Sequence, residues 1–249
     1  VGAEFLNHDV DVLIEKPMTT SLEQADELIK IAESKHRILQ VGHLERFNPA
    51  VIALKNIVHN PMFIEAHRLS IFKDRSTDVS VVLDLMIHDI DIIMNVVKSD
   101  IKSIHAAGVP VICGHADIAN VRLEFESGCV ANVTASRISI KNQRKIRLFQ
   151  KDTYVSVDFA GREITIIKRD ENHAGGVIPG MEIRQLSFSE ADALEDELAS
   201  FIEAVRARKI PVVSGHAGRK ALQVALSIMD QINTAIGRLE NSNPLPGEP

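Results

Sequence analysis

Tryptophan is absent from this chain, tyrosine occurs once and cysteine twice in 249 residues. The scarcity of aromatic rings leaves no platform for stacking nucleic-acid bases. A formal net charge of −6 removes the basic surface that phosphate backbones require, so nucleic acid is not an expected partner. Two thiols, Cys113 and Cys129, make neither a disulfide framework nor a zinc site. Both fall in apolar, strand-like segments and read as buried, unreactive side chains of a reducing cytoplasm. No signal peptide is evident, and no apolar run is long enough to span a bilayer. The most apolar stretch, 79–97, is interrupted by Asp84, His88, Asp89 and Asp91. A membrane is therefore not expected as a partner, and a cytoplasmic location is. No G-x-G-x-x-G occurs either, so these residues lack the turn that seats a dinucleotide pyrophosphate on a helix N-terminus.

What remains is an ordinary globular composition, 45% hydrophobic and 25% charged, in a chain long enough for one large domain or two modest ones. The first clear element is a short buried strand, Val12-Leu13-Ile14, followed at once by Glu15, Lys16 and Pro17. In a parallel sheet the carboxyl ends of strands form the ligand crevice, so this Glu-Lys pair is placed to meet a substrate; an ordinary surface ion pair is the alternative. Ser21 with Gln24 three residues on is a capping-box signal. Leu22, Ala25, Leu28, Ile29 and Ala32 then repeat at helical spacing to about Ser34. A second strand, Arg37 to Val41, closes a βαβ unit on Gly42-His43. There Arg46 could meet a phosphate or carboxylate, and His43 or Asn48 could hydrogen-bond a cofactor. Asn48 before Pro49 also reads as the N-cap of the next helix.

Beyond residue 62 the texture changes. A strand is expected over 63–72, a polar loop over 73–78 and a helix over 79–97. Strands follow at 101–112, 117–125, 128–137, 144–150, 153–158 and 163–168, a loop at 172–180, and helices at 189–207 and 215–237, the last closing at Gly237. The tail from Asn241 reads as frayed. On the 79–97 helix, Ser80, Asp84, His88, Asp91 and Asn95 fall in one stripe at 100° per residue, facing either solvent or a cleft. Asp84 is four residues before His88, close enough to orient the imidazole for acid–base work. The same spacing could hold a metal, but no third ligand is evident and none is expected.

Glu15-Lys16-Pro17, Gly42-His43 with Arg46-Phe47-Asn48-Pro49, and Asp84-x-x-x-His88 together resemble the Gfo/Idh/MocA family of NAD(P)-dependent oxidoreductases. The resemblance implies an α/β plus α+β fold. A truncated Rossmann-type parallel sheet (1–48) would precede an α+β domain (49–249) with a large, mainly antiparallel open sheet that mediates homo-oligomers. It implies Lys16 and His88 as the acid–base residues with Asp84 as helper. It also places Glu15, Lys16 and Pro17 against the nicotinamide, with a cis Lys16–Pro17 bond, and His43, Arg46 and Asn48 as further cofactor contacts. The cofactor would be NAD, with NADP as the alternative, and the glycine-rich half of the Rossmann domain is expected upstream of Val1. Within the family, Gly42 to Pro49 and Asp84 to Asp91 look most like the nucleotide-sugar branch, implying oxidation at C3 of UDP-N-acetylglucosamine. A cyclitol or free-sugar dehydrogenase, or a non-catalytic sugar-binding relative, is the alternative.

Overall fold

The computed structural model of the protein describes residues 1–72, 79–170, 178–189 and 192–242. The chain divides into two units: Val1–Ile57 with Phe188–Val224, and Val58–Ser187 with Ala225–Pro249. The first unit thus draws on more of the chain than residues 1–48, because a late segment returns to cover its sheet.

In the first unit a short helix, α1 (Gly2–Asn7), precedes the first strand. The expectation of a strand as the opening element was incorrect, since six residues are too few for a helical period to be read. Strand β1 (Val12–Glu15) pairs in parallel with β2 (Leu39–Gly42), with Glu15 opposite Gly42. Between them runs α2 (Leu22–Ser34), which buries Ala25, Leu28, Ile29 and Ala32. Ser21 Oγ accepts the Gln24 N–H at 3.4 Å, as the capping pattern requires. Gln24 reaches back one residue further than in the standard box, accepting the Thr20 N–H at 3.3 Å and the Thr20 hydroxyl at 3.0 Å.

After β2 come a 3-10 turn (Leu44–Phe47) and α3 (Pro49–Ile57). The late segment supplies α5 (Ala193–Ala207) and the start of α6 (Gly215–Ser242). Asp192 caps α5 by accepting the N–H groups of Leu194 and Glu195 at 3.0 and 3.2 Å. The beginning of α6 lies against β2: a Cβ on Gly218 would sit 2.5 Å from a Val41 methyl, inside van der Waals contact, so the approach requires glycine. Arg219 holds the same part of α6 to α2 through both oxygens of Asp26. Helix α6 runs past Gly237, the residue expected to end it. A side chain there would meet open space, so this glycine weakens the helix locally without a geometry that stops it.

The second unit is built on an eight-stranded sheet of order β10-β9-β8-β7-β3-β6-β5-β4. Its strands are β3 (Phe63–Leu69), β4 (Ile101–Val109), β5 (Ile118–Phe125), β6 (Val130–Ser136), β7 (Gln143–Gln150), β8 (Thr153–Asp158), β9 (Glu163–Arg169) and β10 (Met181–Ser187). The β3–β6 pair is parallel and the others antiparallel. Alternation decides which face is inside. Leu123, Ala131, Ile64, Leu148 and Val155 form one cross-strand row of the buried face, and Val121, Val133, Ala66, Ile146, Val157 and Ile164 the next. The opposite face carries Arg122, Asn132, Glu65, Arg147 and Thr165 in register, beside an apolar row of Phe63, Phe149, Tyr154, Ile167 and Ile183.

Helix α4 (Ile87–Val97) is nearly all buried, as its sequence demands. The later part of α6 buries Ile228 and Ile232. Gln231 there accepts the Ala106 N–H and donates to the Ile104 carbonyl, both at 3.0 Å, occupying polar groups of the edge strand β4. Strand β10 was not expected; its residues are mostly exposed, so alternation is faint. Cys113 was expected in a buried strand but lies in a bend after β4, half-buried; Cys129 is buried. Both are free, and burial pushes the Cys129 thiol up to about 11. The loop expected at 73–78, most of that at 172–180 and the tail beyond Ser242 lie outside the described residues.

Candidate active site

The two parallel strands of the first unit end side by side, and their ends bring together two of the motifs. Glu15 and Gly42 are register partners. A Cβ on Gly42 would lie 3.0 Å from the Glu15 carboxylate, so glycine here leaves room for that side chain over the strand end. Glu15 is exposed, Lys16 and Pro17 are half-buried, and Met18 turns into the core. The Lys16–Pro17 peptide bond is cis, as the resemblance implied.

Beside them His43 is buried at the end of β2. Arg46 is half-buried in the 3-10 turn, whose Phe47 fills the core. Asn48 serves as the cap of α3: its Oδ1 accepts the Ala50 N–H at 3.0 Å, and its Nδ2 donates to Glu45 at 3.4 Å. The sequence thus positions Glu15, Lys16, Pro17, His43 and Arg46 at one end of the parallel pair.

Asp84 and His88 belong to the second unit. The single regular helix expected over 79–97 is not formed. Val82–Met86 is a π-helical turn, and regular α-helix follows from Ile87. A wider turn changes the angle per residue, so the stripe drawn at 100° breaks there. Ser80 and Asp91 are buried, whereas Asp84, His88 and Asn95 are half-buried. Ser80 starts the segment, its Oγ accepting the Val82 N–H at 3.3 Å and its carbonyl the Asp84 N–H at 3.0 Å.

Two buried ionic groups that the sequence reading missed hold this segment. Arg68 of β3 donates to both oxygens of Asp89 at 2.9 and 2.8 Å, with both side chains buried. Asp117 Oδ2 accepts the N–H groups of Val111, Ile112 and Cys113 at 2.8, 2.7 and 3.0 Å. Burial alone would raise the Asp117 carboxyl, but these N–H groups and the Cys113 thiol outweigh it and hold it at about 2. The same contact, with burial second, pushes the Cys113 thiol up. The loop so fixed accepts the Val81 N–H on its Ala116 carbonyl at 3.1 Å, and Arg137 donates to the Val79 carbonyl. The Ala116 and Arg137 bonds fix where the π-helical turn begins, and the Arg68–Asp89 pair holds the helix that follows it. Asp89 could have been noticed as a charge on an apolar helix face, with Arg68 among the inward positions of β3.

A third missed residue lies in the first unit. Glu197 is fully buried on α5, and burial with the Glu15 charge pushes its carboxyl up to about 7. Its sequence signal is a carboxylate at helical spacing from Phe201 and Ala204, on the inward stripe.

Comparison with known proteins follows this division. Residues 1–43 match the oxidoreductase family model for the NAD-binding Rossmann fold of Gfo/Idh/MocA proteins, and residues 52–155 match the model of the Gfo/Idh/MocA C-terminal domain. UDP-N-acetylglucosamine 3-dehydrogenase of Acidithiobacillus ferrooxidans is 36% identical over 230 residues, spanning 92% of this chain and 73% of that protein. The chain belongs to the Gfo/Idh/MocA family. A crystal structure of the Acidithiobacillus enzyme superposes with a TM-score of 0.89 over 93% of this chain and 74% of that one. Myo-inositol 2-dehydrogenase of Thermotoga maritima is 27% identical over 85% of this chain and 67% of that protein. An inositol dehydrogenase homologue of Azotobacter vinelandii, crystallised with NADH and myo-inositol, shares the fold at 14% identity and a TM-score of 0.79. As a family member the chain is an oxidoreductase of the type with an NAD-binding Rossmann fold. Among the described residues no helix is long and apolar enough to cross a membrane, and no group of three or more His, Cys, Asp or Glu could hold a metal ion.

Proposed function

We propose that the protein oxidises a secondary hydroxyl of a nucleotide sugar, with UDP-N-acetylglucosamine oxidised at C3. The observation that carries this reading is the pairing of Glu15-Lys16-Pro17 with Gly42-His43 at the carboxyl ends of β1 and β2, in a chain 36% identical to a dehydrogenase of that sugar. Glycine at 42 leaves room for the Glu15 carboxylate at the strand end, and Lys16 and Pro17 keep part of their surface, so the residues present fit the nicotinamide end of a dinucleotide. Glu15, Lys16, Pro17, His43, Arg46 and Asn48 would hold it. The cofactor, NAD in preference to NADP, supplies the hydride acceptor.

In this reading His88 takes the hydroxyl proton as general base, and Asp84 orients its imidazole. Lys16 places a positive charge at the oxygen as negative charge develops there. Arg46, half-buried in its turn, is suited to an anionic group of cofactor or substrate. The open face of the eight-stranded sheet, with its Phe63, Phe149 and Tyr154 cluster, is proposed to join protomers into a homo-oligomer. The unit that holds residues 1–48 is proposed to act as the cofactor part, and the unit of the eight-stranded sheet as the substrate and assembly part.

A substrate panel tests the reading. With NAD, the full-length protein is expected to reduce cofactor on UDP-N-acetylglucosamine and to leave myo-inositol and free glucose untouched. Reduction on the cyclitol alone would transfer the chain to the inositol branch, which the Thermotoga relative makes the second reading. Sugar binding without reduction would make it a binding protein.

A further inference from the structure

Helix α5 buries a carboxylate that the proposed hydride chemistry does not use. Glu197 is fully buried, and among the described residues neither of its carboxylate oxygens has a hydrogen-bond donor. A further buried acceptor belongs to the residue that bonds the Glu197 backbone. Gln40 of β2, also fully buried, donates its Nε2 to the Glu197 main-chain carbonyl at 3.3 Å, and among the described residues its Oε1 has no donor. The charged groups on the surrounding elements are few. Strand β1 brings the Glu15 carboxylate, β2 ends on the buried His43, the 3-10 turn packed on α5 brings Glu45 and Arg46, and α5 itself carries Glu195, Asp196, Glu203 and Arg206, all four exposed. Ser214, bridged to Gln40, adds no charge.

A buried acceptor without a donor is unfavourable, and a desolvated anion is costly. A single proton turns one acceptor into a donor and removes the charge at the same time. Burial and the negative charge of Glu15 both favour that state, in that order.

We propose that Glu197 is a positioning residue that holds a proton behind the Glu15 end of β1, and that losing the proton to solvent sets two carboxylates against each other and displaces the Glu15-Lys16-Pro17 turn. The functional half of this rests on the reading that Lys16 serves hydride transfer. It converts the buried acid into a pH control on that turn.

The sign of the pH effect follows from linkage. A folded-state carboxyl above its ordinary value keeps a proton that the unfolded chain has released. The stability it contributes is full below 4.5, falls as pH rises to about 7, and is level beyond. The test uses the full-length protein with Glu197→Gln, which is neutral at every pH, and Glu15→Gln. Thermal midpoints of Glu197→Gln should match those of the parent near 4.5 and rise above them up to about 7. Glu15→Gln should make the parental fall smaller and end it at lower pH. In the parent, kcat/KM should drop about tenfold per pH unit on the alkaline side, and Glu197→Gln should abolish that limb. NADH affinity measured over the same range should follow the same pattern.

Identical midpoint profiles for parent and Glu197→Gln would overturn the buried proton. An altered midpoint profile with unchanged kcat/KM and NADH profiles would overturn the positioning role. If no sugar is oxidised at all, the reading of Lys16 fails separately, and the NADH profiles still decide the case for Glu197.

Discussion

Replacing Lys16 by methionine is expected to lower kcat of the full-length protein by roughly 10²- to 10⁴-fold, the range for loss of a group that handles charge or a proton at the reacting centre. Methionine keeps the length and apolar stem of lysine and removes the ammonium, so the change isolates the charge. Lys16 is half-buried at the end of a strand whose packing rests on neighbours such as Met18, so the fold should hold. A change in stability within about 0.5 kcal/mol is expected, as for surface substitutions generally. If the lysine acts on the transition state, kcat and kcat/KM fall together and KM stays close to its original value. If it only helps to seat the substrate, KM rises and kcat is kept. Steady-state kinetics together with a urea midpoint separate these outcomes, and turnover within about threefold of the parent would remove Lys16 from the mechanism.

The largest expected effect on stability belongs to Asp89. Both oxygens of this buried carboxylate receive Arg68, and both side chains are almost fully shielded from water. Asp89→Ala leaves a guanidinium in the core without its counter-charge, which costs about 3–5 kcal/mol, a large share of a domain's stability. Removing both partners should be far milder. An Arg68→Met, Asp89→Leu double variant fills the space with apolar atoms and should recover most of the loss. Urea unfolding of the single and double variants gives the two differences directly. A single variant within about 1 kcal/mol of the parent would mean that water or another group satisfies Arg68 without Asp89.

These two residues show how unevenly the sequence displays its structure. Glu15-Lys16-Pro17 could be read directly because strand end, charge and proline are adjacent in the chain. The same is true of Ser21 and Gln24, where the capping signal is local, and of most strands, where alternation is strong. Arg68 and Asp89 lie 21 residues apart in the chain, with the π-helical turn between them, so no local pattern pairs them. The π-helical turn itself hid the arrangement of the 79–97 segment. The turn at Val82–Met86 shifts Ser80 and Asp84 in angle relative to His88 and Asn95, which a regular period could not show. Glu197 is buried because α5 belongs to the first unit, a long-range relation that no local pattern displays. Strand β10 was lost for the opposite reason: it is exposed on both faces and carries little pattern.

The most direct test of the proposed chemistry follows one hydrogen atom. UDP-N-acetylglucosamine carrying deuterium at C3 is incubated with NAD and the full-length protein, and the reduced cofactor is examined by mass spectrometry. Hydride transfer from the sugar ring predicts reduced nicotinamide one deuterium heavier, together with a 3-keto sugar. Reduced cofactor without deuterium, or sugar recovered unchanged, would contradict it.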